Sequence, residues 1–161
     1  MTAKQTRHWQ PREMQMLSEW LVKTQQGKRW MTRVRLGTPR SEVPRPDMSP
    51  EERAMIGAWR RWADAVILEP DSVTLVEAAI RPEPGDISQL ELYQRLLPHT
   101  PELEPWRGLP IHLILLYAIE DPATILLARE KGIACVEYKP TWLPAYLEAL
   151  MPRERRGVRY P

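Results

Sequence analysis

The chain has 161 residues, of which 43% are apolar, so it is long enough for one domain with its own hydrophobic core. It contains no apolar run of about eighteen residues, the length that a membrane-spanning helix needs, so no membrane partner is expected. The polar N-terminus MTAKQTRHWQ lacks the apolar stretch of a secretory signal. The single cysteine, Cys135, excludes an internal disulfide, and its setting in IACVEY predicts a buried thiol in a reducing compartment.

Charge is distributed unevenly along the chain. Residues 1–61 carry 13 basic against 6 acidic side chains, residues 62–150 carry 6 against 14, and residues 151–161 carry 4 against 1. Basic ends flanking an acidic middle are typical either of solvated flanks or of a chain that binds an anionic partner. The expected organisation is a basic N-terminal arm (1–10), a single domain (11–151) and a basic C-terminal tail (152–161).

The domain begins with a predicted helix and strand. Residues 11–26 place apolar side chains at helical spacing, Pro11 suits the first turn, and Gly27 suits the end. Residues 29–37 alternate as a strand with one wet face does. The predicted faces carry Trp30, Thr32, Val34 and Leu36 on one side and Arg33 and Arg35 on the other.

A proline-rich segment separates this strand from the next helix. Residues 38–48, TPRSEVPRPDM, have no period and three prolines, and they predict a loop or an extended arm. Ser49 then suits a helix cap, Pro50 the first helical position and Glu52 a capping box, so we expect a helix over 49–61.

The remaining segments complete an α/β pattern. ADAVIL and VTLVEAAI predict two adjacent strands joined by the turn EPDS. Further elements are expected as a helix over 86–97, buried strands over 111–119 and 133–138, and helices over 122–131 and 142–150. This order predicts a mixed central sheet flanked by helices on both faces, with a strand–helix–strand unit that forms a parallel pair.

Two carboxylates stand out in the stretch ADAVILEPDSVTLVEAAI. Asp64 opens one predicted strand and Glu77 lies inside the next. With these residues, the order of elements over 11–119 resembles the PD-(D/E)xK nuclease superfamily, the restriction-endonuclease-like fold, and 120–150 resembles a C-terminal extension. The resemblance implies that Asp64 and Glu77 hold Mg²⁺ or a similar ion, because two hard carboxylates can converge on it and activate a bound water.

The sequence departs from this family at the lysine expected two residues after the glutamate, where Ala79 stands. Arg81 shares the predicted strand face, but a guanidinium stays protonated and cannot serve as a base. Lys139 forms a second E-x-K string with Glu137, but it follows the wrong element, and we interpret it as a coincidence.

Other residues match the family in part. Gln89 and Tyr93 match the Q-x-x-x-Y pattern of its recombination-nuclease branch, although Asp86 and Gln89 also have the spacing of a capping box and Tyr93 falls on the apolar helix face. The resemblance also implies that Glu13 or Glu19 on the first helix approaches the metal. An exposed helix carboxylate is the alternative interpretation for both.

Two functions follow from two interpretations of the carboxylate pair. In the preferred one, Arg61 or Arg81 bridges Asp64 and Glu77, and the chain is a non-catalytic nuclease-fold protein without a cofactor. It then serves as a structural or binding component of a larger assembly, for example a phage virion head-to-tail (neck) protein. In the alternative, the two carboxylates and the Q-x-x-x-Y pair form a Mg²⁺-dependent DNA nuclease with a displaced lysine.

The assembly hypothesis also predicts partners and a location. It expects other protein subunits, in a homo-oligomer or a multi-protein assembly, with nucleic acid as a further partner, in the cytoplasm or in a virion. Arginine and tryptophan are typical of interfaces, and the chain has seven tryptophans. The expected interface residues lie in the proline-rich arm and the tail: Arg40, Arg45, Arg153, Arg155, Arg156 and Arg159.

Overall fold

In the described part of the chain, five strands form one sheet and four α-helices pack around it. The computed structural model describes residues 3–38, 49–51 and 61–151, with residues 3–10 described as helical backbone only. The helices are α1 (Ala3–Thr24), α2 (Pro84–Leu96), α3 (Pro122–Glu130) and α4 (Leu143–Leu150). The strands are β1 (Arg29–Leu36), β2 (Arg61–Leu68), β3 (Val73–Ala79), β4 (Ile111–Tyr117) and β5 (Ala134–Glu137).

The sheet is mixed, as the sequence predicts. Its strand order is β1-β2-β3-β4-β5. The first three strands are antiparallel neighbours, and β4 and β5 continue the sheet in parallel pairing. The turn between β2 and β3 is tight, with the Glu69 N–H donating to the Ser72 carbonyl at 3.0 Å. The parallel pair β4–β5 is the predicted strand–helix–strand unit.

Helices cover both faces of the sheet. On one face, α2 and α3 bury Leu90 and Ile125 against sheet residues such as Leu75. On the other, α1 and α4 bury Leu17 and Leu143 in a second core. Each fully buried leucine or isoleucine contributes about 1.5–3 kcal/mol through the loss of apolar surface to water. The two cores hold the sheet in place, and the polar residues described below lie at its end.

The side-chain alternation along β1 differs from the prediction of one apolar face. Met31, Val34 and Leu36 pack on the α2 side of the sheet, whereas Trp30 packs on the α1 side. Regular alternation would place Met31 and Val34 on opposite sides of the sheet, so the alternation of side chains is interrupted between them. The backbone cause is Arg33, which has φ 51°, in the left-handed region that non-glycine residues rarely occupy.

In the neighbouring strand β2, the side chains change sides of the sheet at Asp64, the position opposite Arg33. Ala63 and Val66 pack on the α2 side, and Ala65 between them packs on the α1 side, so the change falls at Asp64. Backbone pairing keeps the same register on either side of Arg33 and Asp64. The irregularity is thus local to this pair of positions.

Three further elements differ from expectation. Helix α1 begins at Ala3 and not at Pro11, because residues 3–10 include good helix formers and the proline is accommodated inside the helix. Helix α2 begins at Pro84, two residues before the predicted start. Strand β5 is an edge strand with half-buried and exposed positions, so Cys135 is half-buried and not the buried thiol we expected.

Several predictions fall on residues that the structure does not describe. The tail 152–161 and nearly all of the arm 38–48 lie outside the described ranges. The predicted helix 49–61 is described at Pro50 and Glu51, which are helical, and at Arg61, which begins β2. No helix within the described residues is both long enough and apolar enough to cross a membrane.

Candidate functional site

Four acidic side chains meet near the C-terminal end of β3, and we call them the carboxylate cluster. Glu13 lies on α1, Asp64 on β2, Glu77 on β3 and Asp86 on α2. Burial raises the pKa of Glu77 well above its ordinary value, and the charges of Asp64, Asp86 and Glu13 raise it further. Buried carboxylates this close together cannot all be ionised unless protons or a cation compensate them.

Asp64 takes the place of a backbone group in the sheet. The backbone pairing of β2 with β3 ends at Ala65 and Val76, and the next contact is the Ala78 N–H, which donates to the Asp64 carboxylate at 2.9 Å. Burial raises the pKa of Asp64 to about 6, although this hydrogen bond and the charge of Arg33 act in the opposite direction. This backbone hydrogen bond holds Asp64 within the cluster.

Glu77 is the least compensated member. Its side chain lies in the middle of a fully buried strand, and the residue is 7% exposed. Its Oε2 atom has no hydrogen-bond partner. The Tyr93 hydroxyl lies close enough to Glu77 to lower its pKa, but less than burial and the neighbouring carboxylates raise it. A buried carboxylate oxygen without a partner is costly, so this position requires either a proton or a positive ligand.

Helix α1 contributes Glu13 and not Glu19. The Ile80 N–H donates to Glu13 Oε1 at 3.3 Å, and burial raises the pKa of Glu13 to about 7. The interpretation of Glu13 as an exposed carboxylate is therefore wrong. Glu19 instead accepts hydrogen bonds from Trp142 Nε1 at 2.8 Å and from the Tyr138 hydroxyl at 3.2 Å. These bonds join α1 to the segment between β5 and α4.

Helix α2 contributes Asp86, Gln89 and Tyr93. Asp86 accepts a hydrogen bond from the Glu83 N–H at 2.7 Å, so the capping box joins these two residues and the predicted pairing of Asp86 with Gln89 is wrong. Gln89 Oε1 accepts a hydrogen bond from the Tyr93 hydroxyl at 2.9 Å. Tyr93 is buried in the α2 core as predicted, and burial, followed by the charge of Glu77, raises the pKa of its phenol.

The expected arginine bridge between the carboxylates is wrong. Arg81 pairs with Asp121 at 3.5 Å, and 62% of its side chain is exposed. Arg61 lies close enough to Tyr93 to lower the pKa of that phenol, but its charge is not among the main influences on the pKa of Glu77. Among the described residues, neither arginine neutralises Glu77.

No described lysine takes the place left by Ala79, which is 4% exposed on β3. Every lysine side chain that the structure describes contacts a group elsewhere in the fold. The pairs are Lys23 with Tyr138, Lys28 with Glu69, Lys131 with Glu91, and Lys139 with Glu137. The second E-x-K string therefore forms an ion pair within itself.

The carboxylate cluster can offer a hard cation two ligands, the side chains of Asp64 and Glu77. Within residues 3–38, 49–51 and 61–151, no three histidine, cysteine, aspartate or glutamate side chains are arranged to hold a metal ion. Mg²⁺ in proteins is commonly bound by one or two carboxylates and several waters. Asp64 and Glu77 fit that requirement, and the unpartnered Glu77 oxygen is the atom that lacks a ligand.

Sequence reasoning missed two members of this site. The sequence predicts Asp86 at the start of a capping box; it is instead the third helical residue of the box that begins at Glu83, and its spacing gives no sign that it also faces the carboxylates. The sequence predicts that Arg33 lies on the solvent-facing side of a regular strand. Nothing in RWMTRVRLG signals the positive φ that sets it beside Asp64.

Comparison with protein-family models finds no match, and comparison with curated proteins finds no relative. The interpretation of the site therefore rests on its residues and geometry. All six arginines expected at an interface lie outside the described residues.

Proposed function

We propose that the chain is a nuclease-fold protein that binds a divalent cation through Asp64 and Glu77, does not hydrolyse nucleic acid, and serves as a binding component of a larger assembly. The observation that carries this proposal is the buried Glu77 carboxylate, whose Oε2 has no hydrogen-bond partner and whose neighbours are other carboxylates.

A cation accounts for this environment better than an inherited but unused carboxylate does. Replacing Glu77 with an apolar residue of similar size removes the burial cost of a carboxylate, so an unused glutamate here is a liability. A Mg²⁺ ion offsets the charges of Asp64 and Glu77 together and supplies a partner for the unpaired oxygen. When bound, such an ion can polarise a phosphate oxygen or a water molecule.

The absence of hydrolysis is inferred from the surroundings of the pair. Hydrolysis at neutral pH requires a group that can position or deprotonate the attacking water. Ala79 supplies no such group, and the described lysines contact residues elsewhere. Arg33, the cation whose charge reaches Asp64, remains protonated and cannot act as a base.

Calorimetric titration with Mg²⁺ and Mn²⁺ tests the first half of the proposal, and incubation with plasmid and single-stranded DNA tests the second. We expect binding of one ion by the native protein, loss of that binding in Asp64→Asn and Glu77→Gln, and no cleavage. Glu104→Gln, which changes an exposed residue paired with Arg107, is the matched control and should bind normally. Absence of ion binding by the native protein would overturn the proposal.

A Mg²⁺-dependent nuclease is the second candidate, because Glu13 and Tyr93 lie near the carboxylate pair and Gln89 accepts a hydrogen bond from Tyr93. Cleavage by the native protein that disappears in both Asp64→Asn and Glu77→Gln would establish it. If the native protein is inactive, Ala79→Lys is informative, because gain of Mg²⁺-dependent cleavage would identify the missing lysine as the reason.

The assembly role rests on composition. The arm 38–48 and the tail 152–161 are rich in proline and arginine and poor in apolar residues. Such segments gain order by pairing with carboxylates or phosphates of a partner. A virion head-to-tail component is the kind of assembly that the resemblance suggests, and size measurement of the purified protein by light scattering tests for self-association.

A further inference from the structure

The antiparallel pair β1–β2 carries an exposed arginine–tryptophan stack at its end near the carboxylate cluster. Arg35 and Trp62 are cross-strand partners in the register of the two strands. The Arg35 guanidinium carbon lies 4.6 Å from the centroid of the Trp62 ring. Trp62 is nevertheless 52% exposed, which is unusual for the largest apolar side chain. Much of the indole therefore remains open to a ligand while the guanidinium holds it in position.

The surroundings of this stack are basic. Arg33 is exposed on β1, the edge strand of the sheet, and Arg61 is exposed on β2, although strand alternation places the Arg61 side chain on the opposite face from Trp62. Neither these two arginines nor Arg35 forms an ion pair with a carboxylate of another described residue. We call Arg33, Arg35 and Trp62 the arginine edge.

We propose that the arginine edge binds single-stranded nucleic acid, with a base stacked on Trp62 and phosphates held by the arginines. An aromatic ring within a basic surface is the arrangement that recognises unpaired bases, because every base has a face for stacking and every nucleotide has a phosphate. Bases inside a duplex are already stacked on each other, so the ring selects single strands. Guanidinium groups bind phosphate oxygens in a bidentate manner.

The position of the stack connects it to the carboxylate cluster. Trp62 precedes Asp64 by two residues on β2, a separation of about 6–7 Å along a strand. Arg33 faces Asp64 in the register of β1 and β2 and acts on it through its charge. A strand held on the arginine edge thus brings a phosphate close to Asp64. Binding at the edge does not itself require a cation, so this inference stands apart from the proposed function.

Fluorescence anisotropy with labelled oligothymidylate, in EDTA and at low salt, tests the inference on the full chain. We expect Trp62→Ala and Arg35→Ala each to weaken binding about tenfold, as the loss of one stacked base does, and Trp62→Phe to retain most of it. Trp62→Leu keeps apolar bulk without the ring and should match Trp62→Ala if both fold, as checked by circular dichroism. Oligouridylate should bind comparably, and duplex DNA more weakly.

Arg29→Ala is the matched control, because Arg29 also lies on β1 and also stacks on a tryptophan, with its guanidinium carbon 5.4 Å from the Trp106 ring. It removes the same charge and should change the affinity by less than about threefold. Equal losses in Arg29→Ala and Arg35→Ala, tighter binding of duplex than of single strands, or no binding at all would overturn the inference. So would heparin binding with the same dependence on Trp62, because heparin has no bases to stack.

Titration of Trp62→Ala with Mg²⁺ tests the cation site separately and should give the affinity of the native protein.

Discussion

At the scale of single residues, Glu77 has the environment that is hardest to explain without a ligand. Its strand is buried at every position, and its Oε2 has no partner. A proton removes the charge, but it leaves a buried hydroxyl group that also needs an acceptor. A divalent cation satisfies the charge and the oxygen together. We therefore expect the site to change between a protonated form and a cation-bound form as pH and metal concentration vary.

Glu77→Gln should stabilise the metal-free protein at pH 8. The amide is uncharged, so the substitution removes repulsion from the other carboxylates and retains a group that can hydrogen-bond Tyr93. Relieving an uncompensated buried polar group is worth about 1–3 kcal/mol, so we expect the Tm to rise by about 3–8 °C. Thermal unfolding followed by circular dichroism in EDTA measures this. Glu104→Gln should shift the Tm by about 1 °C or less, and a lower Tm in Glu77→Gln would show that the ionised carboxylate is stabilising.

The metal-free protein should lose stability as pH rises from about 4 to about 7. Folding raises the pKa of Glu13 from 4.5 to about 7 and that of Asp64 from 3.8 to about 6. The folded state therefore binds more protons than the unfolded state in this window, and its advantage disappears as the pH passes the folded pKa values. Asp121 has a lowered pKa, so its opposite contribution is lost only below the usual carboxylate range.

Urea unfolding at a series of pH values, with EDTA and with Mg²⁺, measures this dependence. Saturating Mg²⁺ should restore stability above pH 7, because it binds the ionised carboxylates of the folded state. A free energy of unfolding that increases from pH 5 to pH 8 in EDTA would contradict the raised pKa values.

The composition of the site was only partly predictable from sequence. Asp64 and Glu77 could be paired, because two short strands joined by a tight turn bring their residues together. The compensating group could not be identified, because it depends on where distant side chains point. Arg81 was expected to neutralise Glu77, but the start of α3 lies nearer to it and supplies Asp121 instead.

At the scale of elements, local signals predicted the elements well and their exposure less well. Gly27 is predicted to end the first helix, and Gly132 follows the helix predicted over 122–131; their φ angles of 77° and 75° are the left-handed values that glycine allows. Strand β5 was expected to be buried because IACVEY is apolar, but burial depends on strand order, and β5 is at an edge. The exchange of faces at Arg33 and Asp64 has no signal in either strand alone, because it arises from their pairing.

Arg33→Gly should be more stable than Arg33→Ala. Both substitutions remove the guanidinium, but alanine keeps the steric conflict of a Cβ atom at φ 51°, and glycine does not. The difference should be about 1–2 kcal/mol, with Arg33→Gly the more resistant to urea. At Arg35, whose φ angle is not positive, the order should reverse, because glycine weakens a regular strand. Equal stability of the two Arg33 variants would contradict a backbone constraint at this position.

At the scale of the whole molecule, charge is separated between the ends and the middle. The acidic middle, residues 62–150, contains three members of the carboxylate cluster, whereas the arginine edge lies at its junction with the basic first part of the chain. An extended polyanion can therefore contact the arginines and approach the cluster only where a cation offsets the carboxylates. The same separation allows the basic ends of one copy to pair with the acidic middle of another.

Deletion of residues 152–161 should weaken assembly and leave the stability of the isolated domain nearly unchanged. The tail carries 4 arginines within ten residues and few apolar side chains. Ordering its backbone costs about 1–2 kcal/mol per residue, which so polar a segment cannot offset by packing on its own domain. Under dilute conditions where both proteins are monomeric, the truncated protein should have a Tm within about 2 °C of that of the full chain. Its self-association or partner binding, followed by analytical ultracentrifugation, should decrease. Replacing the 4 arginines by glutamine in the full-length chain is the control for charge, and it should weaken assembly as deletion does. If the truncated monomer melts many degrees earlier than the full-length monomer, the tail packs on its own domain and the assembly role loses its basis.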